Sequence, residues 1–305
     1  MKIIYKIYFI AFSFFLASSL VYALPSRAEQ AGIQISPLTY NFEINPEGDD
    51  NFSIIVKNLN NDDLHYVIEI ENFNHVSDQG APSFEGTSKD TSITSLKDWI
   101  VATKDSDKEG SIEPNGTKEV EFTISVPKGA EPGGHYAAVF VKELAKTDQG
   151  RTQIGVSSRV GTLVLVSIPG DVKRTAEISE FEVPKIIWSG PADLSMKVKN
   201  TGTVHFDSRG VVEAKTMFGH ITEVDMGTHT IIPQNTRFYE GNWASRYPFG
   251  RYTLTAKATD GDGNTVSESR ILWALPLIIV IPIIVGLIAL IWVVFYLKKH
   301  IRIVK

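Results

Sequence analysis

Val120-Glu121-Phe122-Thr123-Ile124-Ser125-Val126 decides the fold class of this chain. Apolar residues take every second position and polar residues fall between them. That is the period of a strand with one face in a core and the other in water. The period recurs in both directions along the chain. Leu64, Tyr66, Ile68 and Ile70 alternate with His65, Glu69 and Glu71; Leu194, Met196 and Val198 alternate with Ser195, Lys197 and Lys199; Tyr252, Leu254 and Ala256 alternate with Thr253, Thr255 and Lys257. Turn-forming clusters separate these runs at Asn45-Pro46-Glu47-Gly48, Asn58 to Asp63, Pro114-Asn115-Gly116, Pro132-Gly133-Gly134, Asn200-Thr201-Gly202 and Asp260 to Asn264. Short alternating strands with regular turns, and no sustained helical stripe between them, predict an all-β protein built from immunoglobulin-like β-sandwiches.

Two sandwiches are expected, at 33–169 and 174–269. The apolar stretch Gly161 to Ile168 reads as a central or final strand of the first, ended by Pro169-Gly170. An internal echo relates the two halves. Val56-Lys57-Asn58 and Val198-Lys199-Asn200 each lead through a polar turn to an apolar–His–aromatic triplet, Leu64-His65-Tyr66 and Val204-His205-Phe206. Pro132-Gly133-Gly134-His135-Tyr136 likewise parallels Pro248-Phe249-Gly250-Arg251-Tyr252. A Tyr at such a strand start often ties a turn back onto a sandwich.

The two ends of the chain set its expected location. Lys2 and Lys6 precede the uncharged apolar run Ile7 to Leu20, and the small residues Ala23 and Ala28 follow, so 1–28 reads as a signal peptide. Ile271 to Leu297 is uncharged and longer than the roughly 20 residues a helix needs to cross hydrocarbon. Trp273, Trp292 and Tyr296 lie near its ends, where amphipathic rings favour the headgroup level. The tail 298–305 holds Lys298, Lys299, Arg302 and Lys305 and no acid, which predicts a cytoplasmic tail and an extracellular body on a single transmembrane helix.

Charge and composition exclude several function classes. Taking the seven end bases (Lys2, Lys6, Arg27, Lys298, Lys299, Arg302, Lys305) from the 30 leaves 23 bases against 35 acids, a net of −12 for the ectodomain. An acidic body argues against nucleic acid as a partner. The chain has no cysteine, hence no disulfide, thiolate nucleophile or Cys–metal site. The histidines (His65, His75, His135, His205, His220, His229, His300) show no metal-binding spacing. Ser157 and Ser158 lack a nucleophile-elbow frame, and no phosphate-binding glycine loop occurs. The expectation is a non-catalytic protein without a cofactor. Asp260-Gly261-Asp262-Gly263-Asn264 starts like a calcium loop but lacks the closing Glu, as a hairpin turn would. Asn51-Phe52-Ser53 and Asn115-Gly116-Thr117 match glycosylation sequons.

Three residues stand out as candidate ligand contacts. Trp99, in Asp98-Trp99-Ile100, fits either a surface ring that stacks on a sugar or a core Trp of the sandwich. His135 and Tyr136 follow a rigid Pro-Gly-Gly turn that presents a ring, or that only stabilises a corner.

The spaced motifs Ile35-Ser36-Pro37-Leu38-Thr39-Tyr40-Asn41-Phe42-Glu43, Val56-Lys57-Asn58-Leu59, Asp98-Trp99-Ile100 and Pro132-Gly133-Gly134-His135-Tyr136-Ala137-Ala138-Val139-Phe140 resemble, in order, the first domain of the WxL-interacting protein family. The resemblance covers about 35–169. It implies a domain that binds peptidoglycan or another cell-wall glycan, followed by a second Ig-like domain, a membrane span and a short basic tail. A surface-protein partner is the further expectation. An alternative is a chaperone-like module that takes a partner strand at a free sheet edge.

Overall fold

The computed structural model describes residues 32–84, 95–144, 158–244 and 248–300. The signal segment read at 1–28 lies outside the described residues, as do 301–305 of the basic tail.

The chain builds two sandwiches in sequence. The first contains β1 (Ile33–Ser36), β2 (Thr39–Glu43), β3 (Asp49–Asn58), β4 (Leu64–Asn72), a small hairpin of β5 (His75–Val76) and β6 (Pro82–Ser83), β7 (Ile100–Ala102), β8 (Glu109–Ile112), β9 (Thr117–Ser125), β10 (Gly133–Glu143) and β11 (Arg159–Ile168). One sheet runs β1-β3-β9-β7 and the other β2-β11-β10-β4-β8. The chain changes sheets at Pro37: β1 pairs antiparallel with β3, then β2 pairs parallel with β11. The alternation read from sequence is the burial pattern. Val120, Phe122 and Ile124 of β9 meet Val139, Val141, Val164 and Val166 of the facing sheet in one core. β10 lies between β11 and β4, and nine consecutive residues from Gly133 to Val141 are buried. Its outer face is covered too, by Phe84 edge-on to Phe140 and by Phe73 against Tyr136.

The second sandwich contains β12 (Ala176–Glu182), β13 (Ile186–Ile187), β14 (Ala192–Asn200), β15 (Phe206–Thr216), β16 (Ile221–Ile231), β17 (Thr236–Trp243), β18 (Gly250–Thr259) and β19 (Thr265–Ala274). Its sheets run β12-β14-β17 and β13-β19-β18-β15-β16 around a core of Leu194, Met196, Val198, Tyr239, Leu254 and Leu272. The helix α1 (Leu277–His300) follows.

The boundary near Ile271 differs from the sequence reading. Leu272 and Ala274 are buried in the second core while Ile271 and Trp273 face outward, so β19 extends past Ser269 and the helix starts at Leu277. The reason is that β19's outer face is itself apolar here. Hydropathy cannot then separate the end of a strand from the start of a span. The 24 residues of α1 measure about 36 Å at the helical rise, enough to cross a hydrocarbon core. From Ile281 to Lys298 every residue is exposed.

The internal echo has a physical basis. Asn58 and Asn200 are both fully buried at the ends of their strands. The Asn58 amide donates to the carbonyls of Asp62 (2.8 Å), Ile112 (3.0 Å) and Glu113 (3.0 Å) and accepts from the Asn60 N–H (2.9 Å). The Asn200 amide donates to Val204 (2.9 Å) and Ile231 (2.8 Å) and accepts from the Gly202 N–H (2.7 Å). Each Asn thus stands in for a missing backbone ladder where the chain turns between sheets. Replacing either by Ala leaves buried carbonyls unpaired, at about 1–3 kcal/mol for the site. Urea unfolding of Asn200→Ala should show a midpoint loss of that size, and Asn58→Ala a similar one.

Candidate functional site

The site is a groove on the side of the first sandwich, and it follows from unequal strand lengths. β4 has nine residues, but β8 pairs only with Leu64 to Val67, and β7 on the facing sheet is three residues long. The inward side chains of β4 therefore begin in a closed core and end half-covered. Leu64 and Tyr66 are fully buried, while Ile68 and Ile70 pack on the core with part of their surface open. Around them Val67, Ile100, Val101, Ala102 and Phe122 line a groove of about 540 Å³. The crossing segment closes one end with Asp105, Lys108 and Glu109. Val101 on the rim is 52% exposed.

Among the described residues, both rims carry unpaired strand edge. The Ile68 N–H donates to Lys108 O (2.8 Å), where β8's cover of β4 ends. Bond direction alternates along a strand, so Ile70 turns its backbone N–H and C=O toward a position that no described strand fills. Opposite, the Thr103 N–H donates to Glu121 O (2.9 Å) across to β9, which turns the Ala102 backbone outward. Apolar pockets beside open backbone groups are what an added strand requires.

The start of β7 is held by the end of β4. Asn72 Oδ1 accepts the N–H groups of Leu96 (2.9 Å) and Lys97 (2.8 Å), and its amide donates to Ser95 Oγ (2.8 Å). This aims the 3-10 turn Lys97–Trp99, so that Trp99 lands on His135 with ring centroids 4.5 Å apart. The structure thus brings two of the three candidate contacts together. His135 is only 3% exposed, its ring nitrogens near Ser95 O (3.2 Å) and Glu131 O (3.0 Å). Trp99 packs on the first core and keeps part of its surface open.

Tyr136 lies elsewhere, 1% exposed, in the joint between the two sandwiches. Its hydroxyl lies 3.2 Å from His205 Nδ1 and accepts the His205 N–H (3.1 Å); His205 Nε2 lies 2.7 Å from Asn41 Oδ1. A neutral imidazole protonated on Nε2 satisfies all of them: Tyr136 donates to Nδ1 and Nε2 donates to Asn41. Burial pushes the Tyr136 hydroxyl far up and lowers His205 to about 4, the latter against the pull of Asp207 and helped by Arg174. Further bonds cross the joint. Gly134 N–H donates to Thr203 O (3.0 Å), the Val76 N–H to Asn235 Oδ1 (2.8 Å), the Asn235 amide to Asn74 O (3.1 Å), and the Phe238 N–H to Asp78 O (2.9 Å). Phe73, Leu165 and Ile232 fill it. In the second sandwich the matching Tyr252 instead ties its own turn, accepting the Phe249 N–H (3.3 Å).

Sequence reasoning missed the groove and the joint. A strand that stops early leaves no mark on its partner's pattern, so Ile68 and Ile70 read like any core residues. His205 and Tyr136 both appeared in the echo, but nothing in it showed that they meet. Asp260, offered as the start of a calcium loop, instead accepts the N–H groups of Asp262 (3.0 Å) and Asn264 (2.7 Å) in a hairpin turn. No metal-holding cluster occurs among the described residues. A larger hollow, about 1020 Å³, lies on the second sandwich, but Leu194 and Ser195 in its wall belong to a strand paired on both sides.

No protein-family profile matches the chain, and no curated protein matches it. Solved structures do. The class 5 fimbriae chaperone CfaA is 11% identical, covering 79% of this chain and 98% of its own, with a TM-score of 0.38. The E. coli chaperone DraB is 14% identical over 79% and 96%, with a TM-score of 0.35. The CsuC–CsuE chaperone–tip adhesion subunit pre-assembly complex of Acinetobacter baumannii matches at 11% over 79% and 98%, with a TM-score of 0.37. At these identities the likeness concerns the fold alone.

The joint makes stability depend on pH. An unfolded His205 takes a proton at its ordinary 6.5, the folded one only near 4. Between those values the unfolded chain binds more protons, so stability is full above pH 6.5 and falls as pH drops through 4, by about 3 kcal/mol in all. Urea midpoints at pH 7 and pH 4 should show that loss, and His205→Gln should remove this part of it.

Proposed function

We propose that this chain is a membrane-tethered, non-catalytic binding protein whose first sandwich takes an extended segment of a partner polypeptide into the groove between β4 and β7. The observation that carries this is the loss of cover over Ile68 and Ile70 where β8 and β7 stop, beside outward backbone at Ile70 and Ala102. An added strand continues β8 along β4. Its alternate apolar side chains fill the groove, and its main chain takes up the open hydrogen bonds.

The apolar α1 anchors the protein in a membrane, with the sandwiches on the extracellular side. Tethering raises effective concentration, so a weak groove suffices. Membership of the WxL-interacting family and binding of cell-wall glycan rest on the resemblance of motifs. The one candidate contact among the three with open surface for a sugar is Trp99.

A photo-crosslinking residue at Val101 in the full chain, in its native envelope, separates the two. The expected outcome is a discrete polypeptide adduct. Ile70→Arg should lower its yield roughly tenfold, the cost of about 1.4 kcal/mol of lost apolar contact. A muramidase-sensitive smear, or an adduct indifferent to Ile70→Arg, overturns the groove reading.

A further inference from the structure

The membrane-proximal end of the second sandwich carries an apolar surface that the binding groove does not use. Four strands end level there. Ala274 at the end of β19 registers with Ile187 of β13 and Gly250 of β18, and Tyr252 with Thr216 of β15. Beyond these ends lie Trp188 (53% exposed), Phe249 (50%) and, on the β15–β16 turn, Met217 and Phe218 (63% and 85%). Just behind, Ile186, Ile271 and Trp273 face outward on the same sheet. A solvated sandwich rarely exposes so many large apolar side chains at one end; such patches mark an interaction surface.

The helix shows what covers it. Only Leu275 and Pro276 separate β19 from α1, and two residues reach about 7 Å at full extension. The connection is also fastened. The Leu275 N–H donates to Ile187 O (2.9 Å), which ties the linker to β13. The strand ends therefore stand at the height where α1 enters the bilayer.

From this continuity we infer that the end of the second sandwich is seated in the lipid interface, with Trp188, Phe218 and Phe249 among the headgroups. The amphipathic indole of Trp188 favours that layer, and the apolar rings of Phe218 and Phe249 favour its boundary with the acyl chains. Lys185, Lys215 and Arg251, exposed one or two residues back from the strand ends, stand where headgroup phosphates lie. The seated end and the interdomain joint then set the height and orientation of the first sandwich's groove above the membrane. The inference rests on α1 spanning the bilayer.

The cysteine-free chain allows a direct test with single spin labels. The full chain, carrying Trp188→Cys, Phe218→Cys, Leu38→Cys or Ile288→Cys, would be reconstituted in vesicles of phosphatidylcholine and phosphatidylglycerol. Collision rates would be read with oxygen and with a water-soluble nickel chelate. Leu38 is an exposed reference in the first sandwich, and Ile288 reports the middle of α1. Labels at 188 and 218 should show roughly fivefold less nickel access than at 38, with oxygen access raised, as expected at headgroup depth. Nickel access equal to that at 38 overturns the inference while α1 still spans. Loss of both nickel and oxygen access at 188 and 218 also overturns it, because a protein contact then covers the patch. A nickel-accessible label at 288 overturns the spanning reading itself.

Discussion

The hydroxyl of Tyr136 is enclosed between two sandwiches, and an enclosed hydroxyl must be satisfied. His205 does this from the second sandwich with both its backbone N–H and its ring, and Asn41 of the first sandwich holds the other side of the ring. The arrangement works with one neutral tautomer, and burial keeps the ring neutral. Around it, Asn235 bonds the backbone at Asn74 and Val76, and Phe73, Leu165 and Ile232 exclude water. With this set in place, moving one sandwich against the other breaks several buried bonds at once. The rest of the molecule's geometry depends on that joint, from the strand ends beside α1 up to the groove of the first sandwich.

The groove arises from what the fold omits rather than from special residues. β4 is the longer strand, and its neighbours β7 and β8 stop before it does. Ile68 and Ile70 keep the inward parity of Leu64 and Tyr66 but are only partly covered by the described residues. Asn72 then holds the start of β7 in place, so the gap is bounded by two positioned edges rather than by a loose loop. An apolar trough with open main chain on its rims suits a strand. It suits a sugar less well, since sugar recognition needs convergent polar groups.

The strand periods, the turns between them and the long apolar run near the end were all legible in the residues. Val120, Phe122 and Ile124 point where their spacing says they should. The buried Asn58 and Asn200 explain why the echo between the halves was visible: each half solves the same turn with the same side chain. The candidate contacts were legible only as residue types. Trp99 and His135 meet, through a turn aimed by Asn72 some 25 residues earlier in the chain. Tyr136, next to His135, serves the joint. Local sequence cannot tell these destinies apart, because β10 is covered on both faces and alternation no longer distinguishes inside from outside.

By itself the sequence determined the class of fold, the order of two sandwiches and an apolar helix, and the acidic, cysteine-free body. Each of these depends on period, composition or length, which are local or additive properties of a chain. The tertiary structure alone decided where β19 ends and α1 begins, which Tyr joins the domains, and where the first core stays open. Those outcomes depend on which strands stop beside which others. That is set by pairing between residues far apart in sequence, and it leaves no period behind to read.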